Sequence, residues 1–385
     1  MSRFFFVMRW PVFVVLLTLS AYVAVAWDTG NVGTASAMAP AQPGLVTGTT
    51  LSINTTGQFA LNGVQTFLLG ISYFDAQNFH ISDIDLLAAR GFNTLRVFAQ
   101  WDPLKFGVTR SVCDANGALQ TSQRDQMQRL IDYAKTKTMI VLMVVLDVAS
   151  GTNMDSNAKR LTCVTNVVNY FKPTSAQDNW NVLFDVVQEH DSNYSPVAPE
   201  WADTTTQLKP YTDAAKAACP TCPIFASSTF INGYIGPSDG TSALNATQKA
   251  RVSAKIVTNG EAILAIHESR VAGWFNVTGA RVAEYKTHLA SIGKQNVPVI
   301  FDEPCRIDAV GDGFDCTATE AQVNLAAVQA KVAGAGLWLL HTDAGFNLAT
   351  QTLFQQLDPV EAAITLSLAS ALAGPGTTPN LTSNQ

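Results

Sequence analysis

Over residues 67–357 the chain alternates eight times between a short apolar run and a longer stretch with helical periodicity. FLLGIS is followed by DIDLLAAR, LRVFAQW by SQRDQMQRLIDYAK, MIVLMVVLD by a helix-rich region reaching Tyr170, and NVLFDVVQEH by LKPYTDAAKAA. PIFASS then leads to TQKARVSAKIV, ILAIHES to ARVAEYKTHLASI, VPVIFDEP to EAQVNLAAVQAKV, and GLWLLHT to LATQTLFQQL. Short runs that are apolar throughout read as strands buried on both faces. Strands joined through helices are parallel, because a parallel crossover cannot be made by a tight turn. Eight such units close naturally into a (β/α)8 TIM barrel of the α/β class. A doubly wound open sheet is the competing arrangement, but its G-x-G-x-x-G fingerprint is missing after the first strand, as is a P-loop.

Before the barrel, LSINTTGQFALNGVQTFLLG carries turn-forming residues at Thr56-Gly57 and Asn62-Gly63, which predicts a short N-terminal β-hairpin of two strands. No linker-like stretch interrupts the chain between this hairpin and Leu372, so residues 47–372 are expected to form one domain, and 385 residues with 47% hydrophobic content are enough to build it. Residues 27–46 and 373–385 are small, Gly/Pro-rich and aperiodic, and read as a flexible leader and tail. Residues 1–26 place Arg3 and Arg9 ahead of an apolar run that closes on Ala24-Val25-Ala26. That order predicts a secretory signal peptide cleaved before Trp27, with an uncleaved membrane anchor as the alternative.

Export makes disulfides the expected use of the six cysteines. Sequence proximity suggests Cys113 with Cys163, Cys219 with Cys222 and Cys305 with Cys316, although other pairings are open and the CPTC turn could instead be a redox pair. Net charge is −6 and only 14% of residues are charged. No basic stripe exists to follow phosphates, so nucleic acid is excluded as a partner. After signal cleavage the expected state is a monomer with no membrane association.

In a TIM barrel, chemistry belongs to the carboxyl ends of the strands. Reading those ends in order collects Tyr73 and Asp75; Arg96, Gln100 and Trp101; Asp147; Gln188, Glu189 and His190; Ser227 and Ser228; His267 and Glu268; Asp302 and Glu303; and Trp338, His341 and Asp343. Glu189, ending the fourth strand, and Glu303, ending the seventh, face one another across the mouth. A carboxylate pair so placed suits glycosidic cleavage, one donating a proton to the leaving oxygen while the other attacks or activates water. Strict alternation would send Gln188 and Glu189 to opposite faces, so a bulge or the onset of a loop must turn both inward. Asp302, next to Glu303, is expected to point away from the mouth. His190 is expected to satisfy a backbone carbonyl under a loop.

The ordered series LNGVQTFLLGISYF, GFNTLRVFAQW, VLFDVVQEH, ILAIHES, VPVIFDEP and GLWLLHT resembles the cellulase-like glycoside hydrolases of clan A, especially family 5. The resemblance implies a secreted, retaining hydrolase of a β-linked glycan of glucan or mannan type, using a polysaccharide or oligosaccharide substrate and no cofactor or metal. It implies Glu189 as the general acid/base and Glu303 as the nucleophile. It also implies that Arg96 holds Glu303 ionised and oriented, that His267 assists the same cluster, and that Trp338 is either the apolar floor under the sugar or barrel packing against the eighth helix. His341 is a further candidate for substrate contact. One departure stands out: the family has asparagine where this chain has Gln188, so the amide that would meet a sugar hydroxyl sits on a longer stem. Two rivals remain, a barrel that binds glycans without cleaving them and a metal-dependent hydrolase. The second is disfavoured because FLLGISYFDA contains no His-x-His pair.

Overall fold

The computed structural model describes residues 49–101, 110–147, 154–191, 204–229, 235–236, 242–267, 273–304 and 318–374. The proposed signal peptide and leader, most of the tail, Glu268, Cys305 and Cys316 lie outside these residues.

Eight strands form one parallel sheet: β1 (Leu68–Ser72), β2 (Thr94–Phe98), β3 (Ile140–Val144), β4 (Val182–Asp185), β5 (Ile224–Phe225), β6 (Leu264–His267), β7 (Val299–Glu303) and β8 (Leu337–Leu340). Their spatial order is β5-β4-β3-β2-β1-β8-β7-β6. The two ends of that order meet as well. Ser228 and Ile266 form a parallel bridge, with Ser228 N donating to Ala265 O at 3.3 Å and His267 N donating to Ser228 O at 3.0 Å. The ring thus closes at the carboxyl end of a two-residue β5. The expected (β/α)8 barrel is the fold.

The helices on its outer surface are α1 (Ile81–Ala89), α2 (Thr121–Thr136), α3 (Asn157–Phe171), α4 (Thr205–Ala218), α5 (Ala246–Ser253), α6 (Thr278–Ser291), α7 (Glu320–Val332) and α8 (Pro359–Ala373). The eighth helix differs from the sequence expectation. The stretch LATQTLFQQL supplies only one turn, Leu353–Gln356, and the covering helix is α8. Proline disfavours helical backbone in the residue before it, so Asp358-Pro359 stops the first turn. The same dipeptide starts the next helix, with Asp358 as N-cap, Pro359 in the first turn and Glu361 completing a capping box.

Strand alternation divides the core in two. Leu68, Phe98, Ile140, Leu142, Leu183, Phe225, Ala265, Ile300, Leu337 and Leu339 pack together with no helical residue among them, which marks the barrel interior. Leu69, Ile71, Val97, Met143, Phe184, Phe301 and Leu340 pack with Leu87, Leu130, Val164 and Val323 of the helices, forming the outer layer. Trp338 belongs to this outer layer and pairs in register with Leu69 and Phe301.

The amino-terminal segment is a three-stranded antiparallel meander, Leu51–Ile53, Phe59–Leu61 and Val64–Gln65, one strand more than the predicted hairpin. Asn62 and Gly63 both have positive φ, 52° and 77°. That is the signature of the tight turn matching the twist of adjacent strands, and it folds the third strand back. The meander seals the amino-terminal end of the barrel. Phe59 is fully buried within the interior cluster, and a Cβ on Gly336, just before β8, would lie 2.9 Å from its ring.

Two of the three suggested disulfides lie within the described residues and are present, Cys113–Cys163 and Cys219–Cys222. The first ties the segment after β2 to α3; the second closes the CPTC turn after α4. Among the described residues no helix is long and apolar enough to cross a membrane.

Because Phe59 plugs the barrel floor, Phe59→Ala is expected to lower unfolding stability by about 3–5 kcal/mol, the range for an emptied aromatic site. Equilibrium urea denaturation checks this.

Candidate active site

Arg96 is the third residue of β2 and faces inward between Thr94 and Phe98. Its side chain is wholly buried, so its charge has to be met inside the barrel. Nη1 lies 2.8 Å from Glu303 Oε2, and Nε lies 3.8 Å from Asp302 Oδ2. Burial alone would lower its pKa, but the charges of Glu303, Asp302 and Asp185 outweigh that and raise it. The guanidinium also sits 5.1 Å from the Phe98 ring centroid.

Two adjacent carboxylates at the end of β7 reach the interior because the register breaks there. Ala265 pairs with Ile300 and Ile266 with Phe301, but His267 pairs with Glu303, so Asp302 is skipped. This corrects the expectation for Asp302: it is fully buried, 3.8 Å from both Arg96 Nε and His267 Nε2. Burial, helped by Asp185 and Glu303 and opposed by His267 and Arg96, pushes its pKa up to about 6.

The end of β4 solves the same problem differently. Gln188 bridges to Asp147 in the parallel direction, and Glu189 takes a left-handed backbone with φ 47°. Gln188 Nε2 donates to Glu303 Oε2 at 3.0 Å, which leaves its Oε1 buried without a hydrogen-bond partner. Glu189 Oε1 lies 2.9 Å from His267 Nδ1. Both residues therefore face the mouth, as the sequence required.

His267 links the two glutamates, touching Glu189 through Nδ1 and lying 3.8 Å from Glu303 Oε2 through Nε2. Burial would lower its pKa; Glu303, Asp302 and the hydrogen bond to Glu189 outweigh it and raise the value to about 9. The imidazole thus carries its proton near neutrality and donates Nδ1–H to Glu189. His341 closes the other side, with Nε2 3.4 Å from Glu303 Oε1 and Nδ1 2.7 Å from Ser72 Oγ. Donor atoms of Glu189, His267 and Glu303 all lie within 4.8 Å of one another, close enough to hold a metal ion. A metal there would have to displace the His267 proton and compete with Arg96 for Glu303.

Of the residues singled out in the sequence, Glu189, Glu303, Arg96, Gln188, His267 and His341 converge. Trp338 does not. Its outward position and 1% exposure make it packing between β8 and the helices. Phe346, half-buried in the loop after β8, is an aromatic near the site; it stacks on Phe74 at 4.1 Å, and Phe74 in turn lies 5.7 Å from His341. Asp75 is occupied by Asn78, Arg110 and the Ala349 N–H. Tyr73 bonds Asp83 of α1, and Asp343 is exposed. His190 Nε2 meets Ser228 Oγ and Lys255 Nζ. Sequence reading missed Ser72 and Asp185. Asp185 is wholly buried, accepts bonds from Ser227 N and Oγ, and has its pKa raised by burial against the pull of Arg96. A carboxylate in the middle of VLFDVV was a usable signal, since it could only face the barrel interior.

No family model matches the chain, and no curated protein sequence matches it. Solved structures do. They include a family 5 broad-specificity endoglucanase from an uncultured bacterium, at 17% identity and TM-score 0.53, covering 77% of this chain and 85% of that one. An endo-1,4-β-mannanase from Rhizomucor miehei matches at 12% identity and TM-score 0.57, covering 84% of this chain and 99% of that one. A glycoside hydrolase family 5 protein from Bacteroides vulgatus matches at 12% identity and TM-score 0.57, covering 85% and 72%. The shared feature at these identities is the barrel fold.

The raised pKa values predict the pH dependence of stability. A group whose pKa is higher in the folded chain stabilises it below the unfolded value, and that stability is lost as pH rises through the folded value. For Asp302 the window runs from 3.8 to about 6, for Asp191 from 3.8 to about 7, and for Glu361 from 4.5 to about 7. For His267 it runs from 6.5 to about 9. The melting temperature is therefore expected to fall as pH rises across these windows, and His267→Gln should flatten the part above 6.5. Calorimetry across pH tests both.

Proposed function

We propose that the protein is a secreted glycoside hydrolase that cleaves a β-linked glucan or mannan with retention of configuration. The observation that carries this reading is the proximity of the two glutamates, an oxygen of each lying within 4.8 Å of the other. Retaining enzymes hold their carboxyl groups about 5–5.5 Å apart, whereas inverting ones leave a gap of about 6.5–9.5 Å for water. The endoglucanase and mannanase names of the similar structures support the substrate class, and the two disulfides are compatible with an oxidising compartment.

In this mechanism Glu303 attacks the anomeric carbon while Glu189 gives its proton to the departing oxygen, so one C–O bond forms as another breaks. Arg96, Gln188 and His341 fix the direction of the Glu303 carboxylate. Glu189 is left as an anion, and the imidazolium of His267 at 2.9 Å stabilises that charge. Water then attacks the glycosyl ester, yields its proton to Glu189, and frees Glu303. The unpartnered Gln188 Oε1 would accept a sugar hydroxyl, the role of the shorter asparagine in the family the sequence resembles. Phe346, rather than Trp338, would offer the apolar surface for the sugar.

Glu189→Ala is expected to slow release of reducing sugar from β-glucan or β-mannan by about 10²–10⁴, the usual contribution of a general acid/base, and Glu303→Ala by at least as much. Circular dichroism should be unchanged. Near wild-type rates in either variant would end the assignment. The donor set of Glu189, His267 and Glu303 makes a metal-dependent mechanism the competing reading. Activity lost to a chelator and restored by zinc would favour it; activity indifferent to chelator supports the two-glutamate mechanism.

A further inference from the structure

Behind the mouth lies a second buried polar cluster that the two-glutamate mechanism does not use. Lys255 sits in a π-helical turn, Ala254–Thr258, that continues α5, and Asn259 N donates to Ala254 O at 2.9 Å to close it. Helical spacing from Val252 puts Lys255 on the buried side, and its side chain is fully buried. Its Nζ lies 2.9 Å from His190 Nε2, 2.8 Å from Ala226 O and 3.3 Å from Glu261 Oε2. An ammonium group only donates, so His190 Nε2 is the acceptor and the imidazole is neutral with its proton on Nδ1. Ser228 Oγ approaches the same nitrogen at 3.2 Å.

His190 is the residue after Glu189, whose left-handed backbone is unfavourable for a side chain with a Cβ and persists only where its surroundings impose it. The constraints converge on the extension of β5. Glu189 N donates to Ser227 Oγ at 3.4 Å, and His190 N donates to Ser227 O at 3.3 Å. Lys255 grips both partners of that junction, the His190 ring on one side and the Ala226 carbonyl on the other. Glu261 keeps the clamp neutral and accepts from Ala226 N at 3.1 Å.

We infer that Lys255, acting through His190, is a positioning residue that holds Glu189 in its left-handed conformation and so aims the proton donor at the leaving oxygen. This rests on the proposed hydrolase function. Lys255 Nζ reaches His190, the Ala226 carbonyl and Glu261, on the Glu189 side of the site, so its effect should fall on proton delivery.

The test uses two β-glycosides of one sugar, a dinitrophenyl glycoside whose leaving group departs without protonation and an alkylphenyl glycoside that needs it. Removing Lys255 alone would strand a buried carboxylate, so the variant is Lys255→Met with Glu261→Gln in the full-length protein. Its kcat/KM on the alkylphenyl glycoside is expected to fall at least about tenfold, with less than about a threefold change on the dinitrophenyl glycoside. Equal losses on both, or no loss on either, would overturn the inference, because a purely structural role does not distinguish leaving groups. Should the double variant lose its cooperative thermal transition, His190→Asn, which withdraws the ring from Lys255 and leaves the Lys255–Glu261 pair intact, is read on the same two substrates by the same criterion. Wild-type protein inert toward the dinitrophenyl glycoside would instead defeat the hydrolase reading itself.

Discussion

A guanidinium that cannot lose its charge is enclosed inside a barrel lined largely by apolar side chains, and the site is organised around that fact. Arg96 has no route to water, so Glu303, Asp302 and Asp185 gather around it. Breaking such a pair by removing one partner typically costs about 3–5 kcal/mol, because the remaining charge is stranded in a low-dielectric interior. The carboxylates face the same constraint in reverse. With more acids than cations in one enclosed volume, burial raises the pKa of Asp185 and Asp302, and His267 answers by holding its proton to about 9.

Delivering these groups to one point requires departures from regular strand geometry, and they are confined to the carboxyl ends. A pleated strand sends neighbours to opposite faces, yet both Asp302 and Glu303, and both Gln188 and Glu189, face inward. β7 achieves this with a register break and β4 with a positive φ at Glu189. Two-residue β5 leaves Ser227 and Ser228 outside the ladder, where they receive the β4 extension and complete the ring with β6. A register break and a left-handed carboxylate residue at this rim are the kind of departure expected where geometry serves chemistry. The opposite rim is sealed by a meander and one buried aromatic, Phe59.

Much of this architecture is legible in the sequence, for identifiable reasons. The eight apolar runs cannot be exposed, and connections through helices force them parallel. The two glutamates end runs whose length fixes where each strand stops, so their meeting follows from ring closure. Trp338 is the ambiguous case. Its face depends on strand phase counted from a starting point that Gly336 obscures, and the phase turns it outward. The direction of Asp302 escapes sequence reading because a bulge is invisible in a string of residues. Lys255 escapes it although Val252 and Ile256 mark its face as buried, because a lysine on a helix usually reaches solvent.

Periodicity and residue type by themselves determined the parallel barrel and the rim that carries the chemistry, since these depend on patterns local to each strand and helix, and the family resemblance then picked six of the side chains that converge there out of the larger set of strand-end residues. Only the tertiary structure decided which way Asp302 and Trp338 point, that Asp185 joins the charge cluster, and that Lys255 braces His190. Those outcomes depend on register and backbone handedness set by contacts between segments far apart in the chain, and no single stretch of sequence contains them.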